Sequence, residues 1–175
     1  MKIFIIGFAF ISIIGTLLHF VYDWSKHNKV VALFGAVNES TWEHIKIAIL
    51  PYLIWSLVDG YIYGINPNYF FAKLVGILAI ILIIPIIFYG YRLISKKAIL
   101  VIDIFIFYLA IFCSQYFSYL ALNMHQIPFY LNYIALILLF IIFGFYMVAT
   151  LMPLETFLFK DPITNKYGLR GHGHE

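Results

Sequence analysis

Ten consecutive residues, Val37-Asn38-Glu39-Ser40-Thr41-Trp42-Glu43-His44-Ile45-Lys46, bring two carboxylates, an imidazole, an ammonium, two hydroxyls and an indole to the mouth of a long apolar run. Carboxylate beside imidazole is the pairing that general acid–base catalysis uses, and the same two groups are ligands for zinc, iron or manganese. Glu39 and Glu43 are four apart and Lys46 is three beyond Glu43, so on a helix that begins at Glu39 the three share one face, with Trp42 on a neighbouring flank and His44 pointing elsewhere. A plainer account covers the same residues. Asn38 or Ser40 caps a helix at the membrane interface, the carboxylates favour the positive end of its dipole, Trp42 joins an aromatic belt and Glu43 pairs with Lys46.

A second polar series precedes the first. Ser12, Thr16, His19 and Asp23 recur at intervals of four, three and four, which lines them along one helical stripe ending near the ten-residue segment. Such a stripe serves helix packing in many membrane proteins, but His19 and Asp23 at its end extend the candidate site. For a metal the weak candidates are His19, Asp23, Glu39 and Glu43; neither His-Glu-x-x-His nor the Glu-x-x-His pattern of di-iron bundles is present. A divalent metal is the one cofactor these residue types suggest. Gly171-His172-Gly173-His174 offers two more imidazoles, as a loose metal site or merely as a polar end. Asp59 and Asp103 are secondary candidates because carboxylates in apolar helices mark proton or cation paths; at an interface each would instead snorkel to water, the reading favoured for Asp59. No Gly-rich phosphate loop, Gly-x-Ser-x-Gly elbow or nucleic-acid signature occurs.

These residues need elements to hold them, and composition says which. Of 175 residues, 64% are hydrophobic and 11% charged, with a mean hydropathy of +0.97; soluble domains carry about 25% charged residues. The expected fold is an all-α polytopic membrane bundle of five spans, over about 1–22, 39–61, 69–91, 98–122 and 129–151, followed by a polar tail over 154–175. Residues 1–153 form one transmembrane domain in this reading. The opening run is too long for a secretory h-region and closes on His19, Tyr22, Asp23 and Trp24, so it reads as a retained helix. Pro51 and Pro85 kink the second and third helices, and Cys113 is a small core residue with no partner for a disulfide. Across five spans, nine of the eleven basic residues fall on one side, all but Lys2 and Lys73. The positive-inside rule therefore sets the N-terminus outside and the tail in the cytoplasm of a multi-pass cell-membrane protein.

His19-Phe20-Val21-Tyr22-Asp23-Trp24-Ser25, Asn38-Glu39-Ser40-Thr41-Trp42-Glu43-His44-Ile45-Lys46 and Phe159-Lys160-Asp161-Pro162 with Tyr167-Gly168 resemble a family of small bacterial multi-pass membrane proteins of unknown function, chiefly through the Asn-Glu-Ser-x-Trp-Glu-His motif. The resemblance implies the membrane topology and no activity. Three functions stay open: a cytoplasm-facing polar pocket between the first two helices for a small polar solute, ion or lipid headgroup; an enzyme acting on a lipid or lipid-linked substrate, with Glu39 or Glu43 as base and His19 or His44 as its partner; and a structural or assembly subunit. The expected partners are the bilayer and such a small-molecule or lipid ligand, with no nucleic acid.

Overall fold

Ser40 arrives in an extended conformation (φ −70°, ψ 154°) and its hydroxyl accepts from the amide of Glu43 at 3.4 Å, which is the geometry of an N-cap. The helix it starts therefore begins at Thr41, two residues later than expected. The structure, a computed structural model, describes residues 2–172. Among these described residues six α-helices follow one another: α1 (Lys2–Leu18), α2 (Val21–Trp24), α3 (Thr41–Tyr63), α4 (Tyr69–Ser95), α5 (Leu100–Asn123) and α6 (Phe129–Leu151), with 3-10 turns at Val31–Leu33 and Gly168–Gly171. Among the described residues there is no strand, only an isolated antiparallel bridge between Lys160 and Tyr167.

Four helices, α3 to α6, are long and apolar enough to cross a membrane. Helix α1 has 17 residues, about 25 Å of helix against a hydrocarbon core of about 30 Å. The expected continuous run to Tyr22 is broken at His19 and Phe20, whose amides bond back to Thr16 and Leu17 at 3.2 and 3.0 Å. The returning loop then supplies the amide of Ala36 to the carbonyl of Leu18 at 3.0 Å, satisfying one of the helix's orphan acceptors.

Helix α3 is the centre of the bundle: 56% of its most apolar stretch is buried, against 22% for α6. Helix α1 packs along it. A Cβ on Gly7 would strike the Trp55 ring, and one on Gly15 would come within 2.9 Å of the Ile47 carbonyl. Eight residues forward on α1 thus match eight residues back on α3, an antiparallel pair drawn close by glycine. Helices α4 and α5 form the next antiparallel pair, and α6 leans on α4. Ile11, Ile45, Ala48, Ile77, Ile80 and Ile111 fill the interior, while Ile137, Phe140 and Ile141 of α6 and Phe105 of α5 face outward, an apolar exterior suited to lipid.

The chain beyond Pro153, expected as a polar tail, folds back over the start of α3. The amide of Trp42 bonds to the carbonyl of Leu158 at 2.9 Å, and the Trp42 and Phe159 rings stack at 4.8 Å. Trp42 is a buried packing residue here and not part of an interface belt.

Candidate functional site

Because Glu39 precedes the N-cap, helical spacing does not govern it, and it parts company with Glu43. Its carboxylate lies between two imidazoles: Oε1 is 3.5 Å from Nε2 of His19 and Oε2 is 3.8 Å from Nε2 of His44. The two rings face each other at 5.6 Å between centroids. His44, expected to point away, is therefore part of the group. Its Nδ1 lies 3.0 Å from the carbonyl of Ser40, and a carbonyl only accepts, so Nδ1 carries a proton and Nε2 donates to Glu39 only when the ring is charged. Burial holds the pKa of His19 below its ordinary value and His44 adds to that, while Glu39 and Asp23 pull the other way.

Glu39, Thr41 and His44 line a small cleft with Ile84, Phe88, Asp103, Ile106 and Phe107. Asp103, near the start of α5, accepts a hydrogen bond from Tyr91 at 2.5 Å. The polar cleft is thus bounded by α3, α4 and α5 and not by the first two helices as expected; His19, just past α1, reaches it through its contact with Glu39. Next to it, sharing Thr41 and Phe88, a second cleft is lined by Tyr89, Arg92, Phe157, Lys160, Asp161, Pro162 and Asn165. Arg92 lies 5.2 Å from the Phe88 ring centroid. Neither it nor Lys160 has an ion-pair partner among the described residues.

Glu43 turns inward. It is 2% exposed, its Oε2 lies 2.5 Å from Nζ of fully buried Lys46, and it also accepts the amide of Val37 at 3.0 Å, while Lys46 donates to the carbonyl of Ala32 at 3.0 Å. The pair ties the loop before α3 to the bundle and faces no cleft. Asn38 is likewise structural: its Nδ2 donates to Gly168 and its Oδ1 accepts from the amide of Ser40, both at 2.8 Å. Ser12 and Thr16 keep their places on α1, with Thr16 Oγ1 on the Ser12 carbonyl at 2.8 Å and on the Tyr108 hydroxyl at 2.9 Å, while His19 lies just past the helix end. Asp23 leaves the stripe, since α2 redirects the chain and sets Asp23 beside His27 and His172. The four metal candidates His19, Asp23, Glu39 and Glu43 consequently sit in three different groups. His174 lies outside the described residues.

One family model covers residues 1–169, the motif segment and both clefts included. The chain belongs to the family of unknown function DUF6512. No curated protein and no solved structure matches it.

In this DUF6512 chain sequence context missed the partners of the candidate Asp59 and the role of Asp161. Asp59 is buried and does not snorkel: it forms an ion pair with Lys73 of α4 and accepts from the Tyr69 hydroxyl. The signal was available, because opposite charges in neighbouring apolar helices each need a partner. Asp161 is 2% exposed and accepts three backbone amides, those of Glu39 at 3.0 Å, Ile163 at 2.6 Å and Thr164 at 2.8 Å. An Asp-Pro pair is a turn signal, but nothing in the sequence marks the reach back to Glu39.

Proposed function

We propose that this chain is a cell-membrane protein of five spans, N-terminus outside and residues 154–172 in the cytoplasm, whose basic face binds the headgroup of an anionic lipid. The observation that carries the reading is the meeting of two clefts at Thr41 and Phe88, one holding the unpaired cations Arg92 and Lys160, the other holding Glu39, His44 and Asp103 above Ile84, Ile106 and Phe107. Cations without carboxylate partners suit a phosphate. The carboxylate and imidazole group suits the hydroxyl or amine portion of a headgroup, and the apolar floor suits the first methylenes. Antiparallel packing of α1 along α3 supports counting α1 as a span despite its length.

The test is retention of lipid through purification. Wild type is expected to keep phosphatidylglycerol in native mass spectra, and Arg92→Gln with Lys160→Gln to lose it without losing monodispersity. Equal occupancy in wild type and the double variant would end this reading. A catalytic reading, an enzyme acting on a lipid-linked substrate, draws on Glu39 lying between His19 and His44. Turnover of the retained lipid that Glu39→Gln abolishes, with binding intact, would select it.

A further inference from the structure

Asp23, His27 and His172 share no residue with the lipid clefts, yet they converge more closely than any other His/Cys/Asp/Glu group among the described residues. Oδ1 of Asp23 is 3.4 Å from Nε2 of His27 and 3.2 Å from Nε2 of His172, and the two Nε2 atoms are 2.8 Å apart. All three separations involve the same three atoms. We propose that they bind a first-row divalent transition ion, with zinc as the reference case, through two imidazole nitrogens and one carboxylate oxygen, leaving a fourth position for water.

The geometry carries the claim. Zinc lies about 2.0–2.1 Å from nitrogen and about 2.0–2.2 Å from carboxylate oxygen in tetrahedral sites, so ligand atoms there stand roughly 3.3 Å from one another. Two of the three edges are at that value and the third is shorter by about half an ångström, within reach of a small imidazole rotation. An ion about 2 Å from all three atoms sits just out of their plane.

The surroundings prepare the ligands. Nδ1 of His172 lies 3.0 Å from the carbonyl of Val37, so it carries the proton and Nε2 presents its lone pair to the cluster. Tyr22, itself buried, packs against both rings, at 5.2 Å for His27 and 5.1 Å for His172. Lys26 and His27 both have positive φ, 55° and 61°, a conformation costly for residues with a Cβ. The helical segment α2 has ended before these two residues, and His27 still stands beside Asp23. Asp23 and His27 are exposed, which leaves an entry path for the ion.

Binding would join two parts of the chain 145 residues apart. His172 belongs to the segment that roofs the start of α3, so an ion at this position fastens that segment to the loop after α1. The site is neither His-x-x-x-His nor a finger pattern, which is why spacing alone did not reveal it.

The experiment uses full-length protein stripped with a chelator and titrated with Zn²⁺ and with Co²⁺. The expected results are one ion per chain, Co²⁺ bands of tetrahedral intensity, and affinity at least tenfold weaker in Asp23→Asn, in His27→Asn and in His172→Gln. Asn is chosen at position 27 because it tolerates positive φ. Trypsin cleavage after Lys166 and Arg170 should slow when the ion is added to wild type and stay fast in His172→Gln. No saturable binding, or undiminished binding in the three variants, would overturn the proposal. So would loss of binding in His174→Gln with retention in His27→Asn. If the variants lose monodispersity, zinc-edge X-ray absorption on wild type decides: two imidazoles support the site, and one or none overturns it.

Discussion

At the scale of single residues, what separates the two glutamates of the motif is the backbone conformation one residue after Glu39. Ser40 is extended, so Glu39 stays outside the helix and reaches His19 and His44, while Glu43 inside it turns to Lys46. A buried ion pair of this kind adds little net stability, but removing one partner strands the other and costs about 3–5 kcal/mol. Lys46→Met alone is therefore expected to lower the thermal midpoint sharply in detergent, and Glu43→Gln added to it to restore most of the loss. If the double variant is no better than the single, the pair is not the cause. His19 makes a second test. Its neutral form is the one favoured in the fold, chiefly by burial and then by His44, against Glu39 and Asp23, so the unfolded chain takes up its proton at a higher pH than the folded one. Stability from this residue is present above the unfolded value of about 6.5 and falls as pH drops through the folded value. With chelator present, the melting temperature is expected to decline below about pH 6.5, and less steeply in His19→Gln. Parallel curves for the two proteins would remove His19 as the titrating group.

At the scale of elements, α3 to α6 were legible because each is an unbroken apolar run with polar or proline-containing ends, and Pro51 and Pro85 kept their places inside helices. The break after Leu18 was not, because apolar composition continues through Phe20 and Val21 and the cause is distant: the amide of Ala36 closing on Leu18 and Glu39 drawing His19. The roof over α3 was hidden for a related reason. Its ties run through the backbone amides of Glu39 and Trp42, which no side-chain pattern marks. Asp161 accepts one of these, the amide of Glu39, together with the amides of Ile163 and Thr164 in its own turn, and hydrogen bonds to a charged acceptor are each worth about 1.5–3 kcal/mol. Asp161→Ala is expected to release the roof, raising amide exchange at Glu39 and Trp42 and at Ile163 and Thr164 while the amides of α4 and α5 stay protected. Unchanged exchange at Glu39 would mean that Asp161 holds only its own turn.

At the scale of the whole molecule, the question is whether α1 crosses, since that decides between five spans and four. Lys2 lines a hollow with Asp59, Tyr63, Asn66 and Asn123, whereas the loop after α1 lies with the ends of α4 and α6 at Glu39, Tyr89 and Phe157. Its two ends therefore belong to opposite ends of the bundle, and a helix of 17 residues reaches across most of a core about 30 Å thick. Locally thin bilayer and the snorkelling of Lys2 would accommodate the rest. Under the proposed topology the positive-inside rule sets the direction, placing Lys26, Lys29, Arg92, Lys96, Lys97, Lys160, Lys166 and Arg170 on the cytoplasmic side. In a Cys113→Ser background, single cysteines at Lys29, Lys97 and Lys166 should be shielded from an impermeant thiol reagent added to intact cells, and cysteines at Lys2 and Gln126 should be labelled. If Gln126→Cys is labelled but Lys2→Cys is shielded along with Lys29→Cys, α1 does not cross and the protein has four spans. Labelling at Lys97 with protection at Gln126 would invert the bundle and put the Arg92–Lys160 cleft outside, where the cytoplasmic headgroup reading fails.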